Sequence, residues 1–195
     1  CHYDIIDWLN PDWIYQPALD DFQWRCERQP RPSISLRIVN VHRDAWHLFR
    51  KHHYLDASLH QAANCFVALV EEQPAAFTAV MYFPHPKSPS YREHRTVCLP
   101  DFQGVGIGNA LSEYVASLYS CKHRYTSVTG HPAMIRHRAR SPLWKMTRKP
   151  STVQRQAGFE KQRKQLVASS RGRLTASFQY IGPSRQRDAE RFGLI

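Results

Sequence analysis

The sequence predicts a domain of the α+β class, and three observations lead to this class. Two apolar, β-rich runs at 64–70 and 75–83 are separated by a short polar segment and predict a hairpin. A β-branched run ends at Pro100 and is followed at once by a glycine-rich turn and a helical pattern. Another strand pattern, at 125–129, comes after that helix. Strands and helices therefore alternate within one domain.

The remaining elements follow from local patterns. Residues 34–39 alternate apolar and polar side chains, which predicts a half-buried first strand. Asp44 can cap a helix that carries Trp46 and Phe49. The other predicted elements are a loop at 83–91, a strand at 92–99, a helix at 105–120, a short helix at 152–157 and strands at 159–162 and 174–181.

The chain divides by composition into three parts. Residues 1–33 hold three of the five tryptophans and four prolines without a sustained period, which predicts an arm that packs on the domain. A partner surface is the alternative use of these aromatic residues. Residues 34–182 form the predicted domain, and residues 183–195 form a basic tail.

Composition excludes several classes of protein. No apolar run approaches the ~18 residues of a membrane span, and the amino end lacks the pattern of a signal peptide. We expect a cytoplasmic protein without membrane contact. The five cysteines include no C-x-x-C pair, which favours buried free thiols.

Positive charge is concentrated in the second half of the chain. Residues 1–121 hold ten Lys and Arg against thirteen Asp and Glu, whereas residues 122–195 hold seventeen against three. Such an excess of positive charge is typical of proteins that bind a partner rich in phosphate, although a surface that keeps the protein soluble also explains it. The predicted contacts to DNA or RNA are Arg136, Arg138, Arg140, Arg148 and Lys149.

The glycine-rich turn predicts an anion site. Gly104, Gly106 and Gly108 stand at alternate positions just before a helical pattern, where free backbone N–H groups can converge on a phosphate. The dinucleotide fingerprint G-x-G-x-x-G is absent, and Asn109-Ala110 stands where a Walker A loop has Lys followed by Ser or Thr. A tight turn that needs glycine only for packing is the alternative.

The pattern Gln103-x-x-Gly106-x-Gly108 after a strand ending in Leu-Pro-Asp resembles the acyl-CoA pyrophosphate loop of the GNAT N-acetyltransferases. The order of elements and Gly158-Phe159 resemble that family too. The resemblance covers residues 34–182 and implies a three-layer fold with a mixed, mostly antiparallel central sheet flanked by helices.

The resemblance also implies a bound cofactor, acetyl-CoA or another acyl-CoA, held mainly by the main chain. The strand edge would pair with the pantetheine arm, so Cys98 need not be a nucleophile. The residues implied are Val97, Cys98, Leu99, Gln103, Gly104, Val105, Gly106, Ile107, Gly108 and Asn109.

The general acid departs from the family pattern. Many GNAT enzymes carry a tyrosine four residues before the Gly-Phe pair, where this chain has Gln154. A second, short resemblance enters at His53-Tyr54, which is similar to a reactive His-Tyr pair in the Mom family of phage DNA-modification proteins. His131 lies where that family places another functional residue. Tyr54 would then replace the missing acid.

The predicted catalytic residues are therefore His53, Tyr54, Glu93 and His131, with Glu93 as the candidate carboxylate base. A surface ion pair is the alternative role of Glu93. Neighbouring histidines such as His94 could add a base or bind iron together with a tyrosinate, but their spacing matches no standard zinc pattern. We expect no metal.

Three functions remain open from sequence. The first is an acyl-CoA-dependent N-acyltransferase that acts on a nucleic-acid base or another anionic macromolecule. The second is a GNAT acetyltransferase for a small amine or a protein lysine. The third is a non-catalytic nucleic-acid-binding module on the same scaffold, which the missing tyrosine favours.

Overall fold

The computed structural model describes residues 9–24, 34–53, 58–152 and 174–195. The chain forms two compact units, residues 1–35 and 36–195. The first unit contains an antiparallel hairpin of β1 (Trp13–Gln16) and β2 (Asp21–Trp24), in which the rings of Trp13 and Trp24 lie 3.8 Å apart. This hairpin was not predicted because four-residue strands leave almost no periodicity to detect. That the arm packs on the domain stays a prediction.

The second unit is built on a seven-stranded sheet with the order β3-β4-β5-β6-β7-β9-β8. Its strands are β3 (Arg37–Val41), β4 (Asn64–Val70), β5 (Gln73–Phe83), β6 (Ser90–Cys98), β7 (Arg124–Thr129), β8 (Trp144–Thr152) and β9 (Leu174–Tyr180). Its helices are α1 (Trp46–Phe49), α2 (Ile107–Tyr119), α3 (Pro132–Arg140) and α4 (Gln186–Arg191), and short 3-10 turns cover Arg43–Ala45, Arg50–His52 and Pro100–Phe102.

Pairing in the sheet is antiparallel except between β6 and β7, which run parallel. The fold class and the hairpin of β4 and β5 are thus confirmed. Among the described residues, no helix combines the length and the apolarity needed to cross a lipid bilayer.

Apolar side chains pack on both faces of the sheet. On one face, α2 buries Leu111, Val115 and Leu118 against strand residues such as Phe66 and Phe178. The helical spacing of the buried residues of α2 explains why its sequence predicted a helix. We call this side the α2 face. On the other side, the α1 face, Trp46 and Phe49 of α1 cover β4, β5 and β6.

Three elements differ from the sequence-based expectation. The stretch 131–151, which gave no regular pattern, forms α3 and β8. The basic tail is not a tail throughout, because Ala189 of α4 is buried and Phe192 packs on Phe66 at a ring distance of 5.7 Å. Thr152 ends β8. The rest of the predicted helix 152–157 and the strand 159–162 lie outside the described residues.

Candidate active site

The sheet opens between β6 and β7. The two parallel strands pair only from Ser90 to Arg92 and from Arg124 to Thr126, and beyond these residues neither strand pairs with the other. A β-bulge at His94 interrupts the pairing of β6 with β5 at the same level. A ligand can therefore enter beyond the carboxyl ends of these paired segments, the usual place for ligands at parallel strands.

The backbone of Cys98 faces the opening at the free edge of β6. Leu99 donates its N–H to the carbonyl of Ala75 at 2.9 Å, and Val97 lies opposite Phe77. Because hydrogen-bonded and non-hydrogen-bonded pairs alternate between antiparallel strands, the backbone of Cys98 points the other way, toward the opening. Of the three residues predicted to pair with pantetheine, Cys98 has the backbone N–H best placed to do so.

The glycine turn has the backbone of an anion site. Gly104 and Gly106 have φ angles of +82° and +92°, a region that other residues rarely adopt. The first bond of α2 runs from the N–H of Ala110 to the carbonyl of Gly106, so the N–H groups of Ile107, Gly108 and Asn109 lie at the helix N-terminus. This turn suits a pyrophosphate because anions are stabilised at such an end.

Side-chain space around the turn supports the same use. A Cβ at Gly104 or Gly106 would have no protein atom within 4 Å, and one at Gly108 would lie 3.8 Å from the Cβ of Cys98. Positive φ, rather than crowding, therefore explains the first two glycines. At Gly108 the protein itself leaves room for a methyl group, so packing alone does not require glycine there.

The turn is tied to the end of β6 by two hydrogen bonds. Gln103 donates from its amide to the carbonyl of Cys98 at 2.9 Å, and the thiol of Cys98 donates to the carbonyl of Phe102 at 3.1 Å. Burial raises the pKa of Cys98, although the Gly108 N–H acts in the opposite direction. The thiol therefore stays protonated at neutral pH and acts as a tether.

Glu93 lies at the base of the opening in a buried polar cluster. Its carboxylate accepts bonds from Arg138, at 2.9 and 3.1 Å to the two oxygens, and from the hydroxyls of Ser112 at 2.7 Å and Thr96 at 2.6 Å. Ser127 also donates to it. Arg138 stacks over the ring of Trp144 at 4.3 Å. The cluster joins β6, β7, α2 and α3.

This environment changes the roles expected of two residues. Burial alone would raise the pKa of Glu93, but Arg138 and the three hydroxyls outweigh burial and hold the pKa below its usual value. Glu93 is thus a buried carboxylate in a saturated network, not a base open to substrate. Arg138 is 1% exposed and cannot reach a nucleic-acid phosphate, so it leaves the set of predicted nucleic-acid contacts.

A group of histidines lies on the α1 face beside the bulge. His94 accepts a hydrogen bond at Nε2 from the backbone N–H of His60 at 3.3 Å. Burial, together with repulsion from Arg95, His60, Arg92 and His53, lowers the pKa of His94 to about 4. His53 is thus one of the groups whose charge affects His94. Within the described ranges, no three His, Cys, Asp or Glu residues form a metal site.

The other predicted catalytic residues are less closely grouped. His53 ends the 3-10 turn after α1, with its ring 5.7 Å from that of Trp46. His131 is exposed at the start of α3, and its N–H donates to Thr129 Oγ1 at 3.1 Å. Tyr54 and Gln154 lie outside the described residues, so the proton donor stays a prediction.

The predicted nucleic-acid contacts fall on different parts of the surface. Arg136 and Arg140 are exposed along α3, which lies on the α2 face because Arg138 of the same helix joins the Glu93 cluster. Arg148 and Lys149 are exposed on β8. Since Arg148 lies opposite Ser177 in the register of the sheet, it projects from the α1 face instead.

Several solved structures superpose on this chain over nearly their whole length. The ribosomal-protein-S18-alanine N-acetyltransferase from Escherichia coli superposes with a TM-score of 0.52 at 12% identity, over 79% of this chain and 98% of that one. Arabidopsis thaliana Naa50, solved with the bisubstrate analogue CoA-Ac-MVNAL, gives 0.52 at 11% identity, over 76% and 100%. A putative GNAT-family acetyltransferase from Desulfovibrio desulfuricans gives 0.50 at 14%, over 74% and 98%.

At these identities the likeness establishes the fold, which is the GNAT acetyltransferase fold. No protein-family model matches the sequence, and no curated protein matches it.

Sequence reasoning missed the partners of Glu93 and the proximity of His60 to His94. Ser112 and Ser127 give no local signal because a hydroxyl in a helix or a strand is usually a surface residue. Ile135 and Arg138 are three residues apart and so share one face of a short helix, but the many charges of this segment obscure that pattern.

Proposed function

We propose that this protein is an acyl-CoA-dependent N-acyltransferase whose acceptor is a nucleic-acid base or another anionic macromolecule. One observation carries the first part of the proposal. The open edge of β6 leads directly into a glycine turn with two positive φ angles at a helix N-terminus. An acyl thioester would supply the activated acyl group.

The chain's own residues would divide the work. The N–H groups at the start of α2 would bind the pyrophosphate, and the outward-facing backbone of Cys98 would pair with the pantetheine arm. Gln103 would hold the turn in place through its bond to the Cys98 carbonyl.

The acceptor would approach from the α1 face, where the histidine group lies. His94 stays neutral at pH 7 because its pKa is about 4. His53 and Tyr54 remain the proposed reactive pair, and their resemblance to the Mom family is one reason to consider adenine or another base as acceptor. The charge of the second half of the chain supports an anionic acceptor.

Isothermal titration with acetyl-CoA tests this function. Gly106→Ala should weaken binding at least tenfold, because a residue with a Cβ resists the positive φ that aims the N–H groups. Gly193→Ala is a matched control that lies outside the turn. Gly193 also has a positive φ, of +66°, and a Cβ there would have no protein atom within 4 Å.

Both variants should lose similar stability, but only Gly106→Ala should lose affinity. Equal affinities for the two variants, or no binding by the unmodified protein, would overturn the proposal.

A further inference from the structure

We propose that Arg92 and Arg148 form a clamp for the phosphate backbone of a nucleic acid on the α1 face of the sheet. The inference rests on the proposed function for the presence of an acceptor, and it adds where that acceptor binds and which groups hold it. The local sequence pattern predicts neither a role for Arg92 nor the use of this face.

The sheet register brings cations from separate strands onto one face. Arg92 of β6 lies opposite Thr126 of β7, which lies opposite Gln179 of β9, which lies opposite Lys145 of β8. Residues that pair directly across strands project from the same face. Their sequence neighbours, including Tyr91 and Tyr125, pack into the core on the α2 face, so this row projects from the α1 face.

Arg148 adds a second row beside the first. It lies opposite Ser177, two residues before Gln179 on β9, and its guanidinium donates to Thr175 Oγ1 at 3.0 Å. The guanidinium of Arg92 lies 5.6 Å from the centroid of the Phe83 ring. Both arginines are therefore held by neighbouring groups rather than extended freely into solvent.

Arg92 and Arg148 project from the same face of the sheet without a compensating carboxylate. Burial and then repulsion from Arg148 lower the pKa of Arg92. Within the part of the chain that the structure describes, no ion pair joins Arg92, Lys145 or Arg148 to a carboxylate. The strands β7, β8 and β9 contain no Asp or Glu at all. Guanidinium groups of this kind suit phosphates, because each can bind one with paired N–H donors.

The size of the face favours a repeating polyanion. The row from Arg92 to Lys145 crosses three strand spacings, about 14 Å in all. That length is greater than the size of a single phosphate and suits a nucleic-acid backbone, which carries one phosphate on every nucleotide. Between the cations, Ser177 and Gln179 offer hydrogen-bond donors to phosphate or sugar oxygens.

The clamp also lies next to the proposed reaction centre. Arg92 and His94 are two positions apart on β6, with His94 at the bulge, and Arg92 is one of the charges that lower the pKa of His94. A strand bound by Arg92 and Arg148 would thus pass beside the histidine group. Phosphate contacts position a nucleic acid without reading its sequence, so the choice of base would fall to the histidine group.

Fluorescence anisotropy with a fluorescein-labelled single-stranded DNA tests the clamp on the full chain. The double variant Arg92→Gln/Arg148→Gln should bind at least tenfold more weakly, and the slope of log K against log salt should fall by about two. Arg187→Gln/Arg191→Gln on α4 removes the same charge from exposed positions away from this face and should weaken binding less than threefold. Arg136→Gln/Arg140→Gln tests α3 in the same way.

Three outcomes would overturn the clamp: no DNA binding by the unmodified protein, equal losses in the sheet and α4 variants, or a larger loss in the α3 variant. Preferential binding of a phosphopeptide over DNA would also overturn it.

Because Arg92 is partly buried, the single variant Arg148→Gln, at an exposed position, must show a loss in the same direction. Acetyl-CoA affinity is measured on every variant. If the sheet variants keep both their acetyl-CoA affinity and their DNA binding, the clamp alone is rejected. If the unmodified protein does not bind acetyl-CoA, the proposed function is rejected.

Discussion

Replacing Glu93 by Gln should destabilise the protein far more than a typical substitution. The change keeps the size of the side chain but leaves the guanidinium of Arg138, which is 1% exposed, without its counter-charge. Removing one partner of a buried ion pair costs about 3–5 kcal/mol. Domains of this size are stable by only about 5–15 kcal/mol, so the loss should be a large part of the total.

A double-mutant cycle separates the pair from the rest of the cluster. Arg138→Met alone leaves a buried carboxylate and should cost a similar amount. The variant Glu93→Gln/Arg138→Met removes both charges, and should cost at least ~2 kcal/mol less than the two single changes added together. Urea unfolding followed by far-UV circular dichroism measures all four proteins.

Additive losses, or a loss below about 1 kcal/mol for Glu93→Gln, would refute the reasoning that the pair is buried and mutually dependent. Such a result would also return Glu93 to consideration as an accessible base.

Two further predictions concern the histidine side of the cleft. Stability should fall as the pH drops from about 6.5 toward about 4, because His94 in the folded protein resists the proton that it accepts when unfolded. The lowered pKa of Glu93 adds a further loss of stability in acid. Urea midpoints at several pH values measure this dependence; His94→Gln should flatten it, and an unchanged profile would contradict the role of His94. His53→Ala and Tyr54→Phe should each lower acyl transfer on the order of a hundredfold with acetyl-CoA affinity preserved, as for a general acid or base, and full turnover in both would exclude the pair.

Local chemistry made part of this site predictable. Positive φ at Gly104 and Gly106, a proline that ends a strand, and the periodicity of α2 are each visible within a few residues of sequence. The hairpin of β4 and β5 is visible for the same reason, since both strands are apolar and adjacent in the chain. These features needed no tertiary information.

Long-range pairing made the rest unpredictable. Glu93 and Arg138 are 45 positions apart, and the arginine became a core residue only because α3 packs beside the opening of the sheet. β8 is an edge strand with Lys145, Arg148 and Pro150, and such strands carry the charges and prolines that hide a strand pattern. The convergence of Arg92 with Arg148 depends on the strand order of the whole sheet.

Amide hydrogen exchange, measured by NMR with and without acetyl-CoA, tests the central claim most directly. The account predicts that saturating acetyl-CoA slows exchange at Cys98, whose N–H points into the opening, and at Ile107, Gly108 and Asn109 at the start of α2, while Gly193 is unaffected. Unchanged exchange at Cys98 and throughout the turn would contradict the claim that an acyl-CoA binds between β6 and β7.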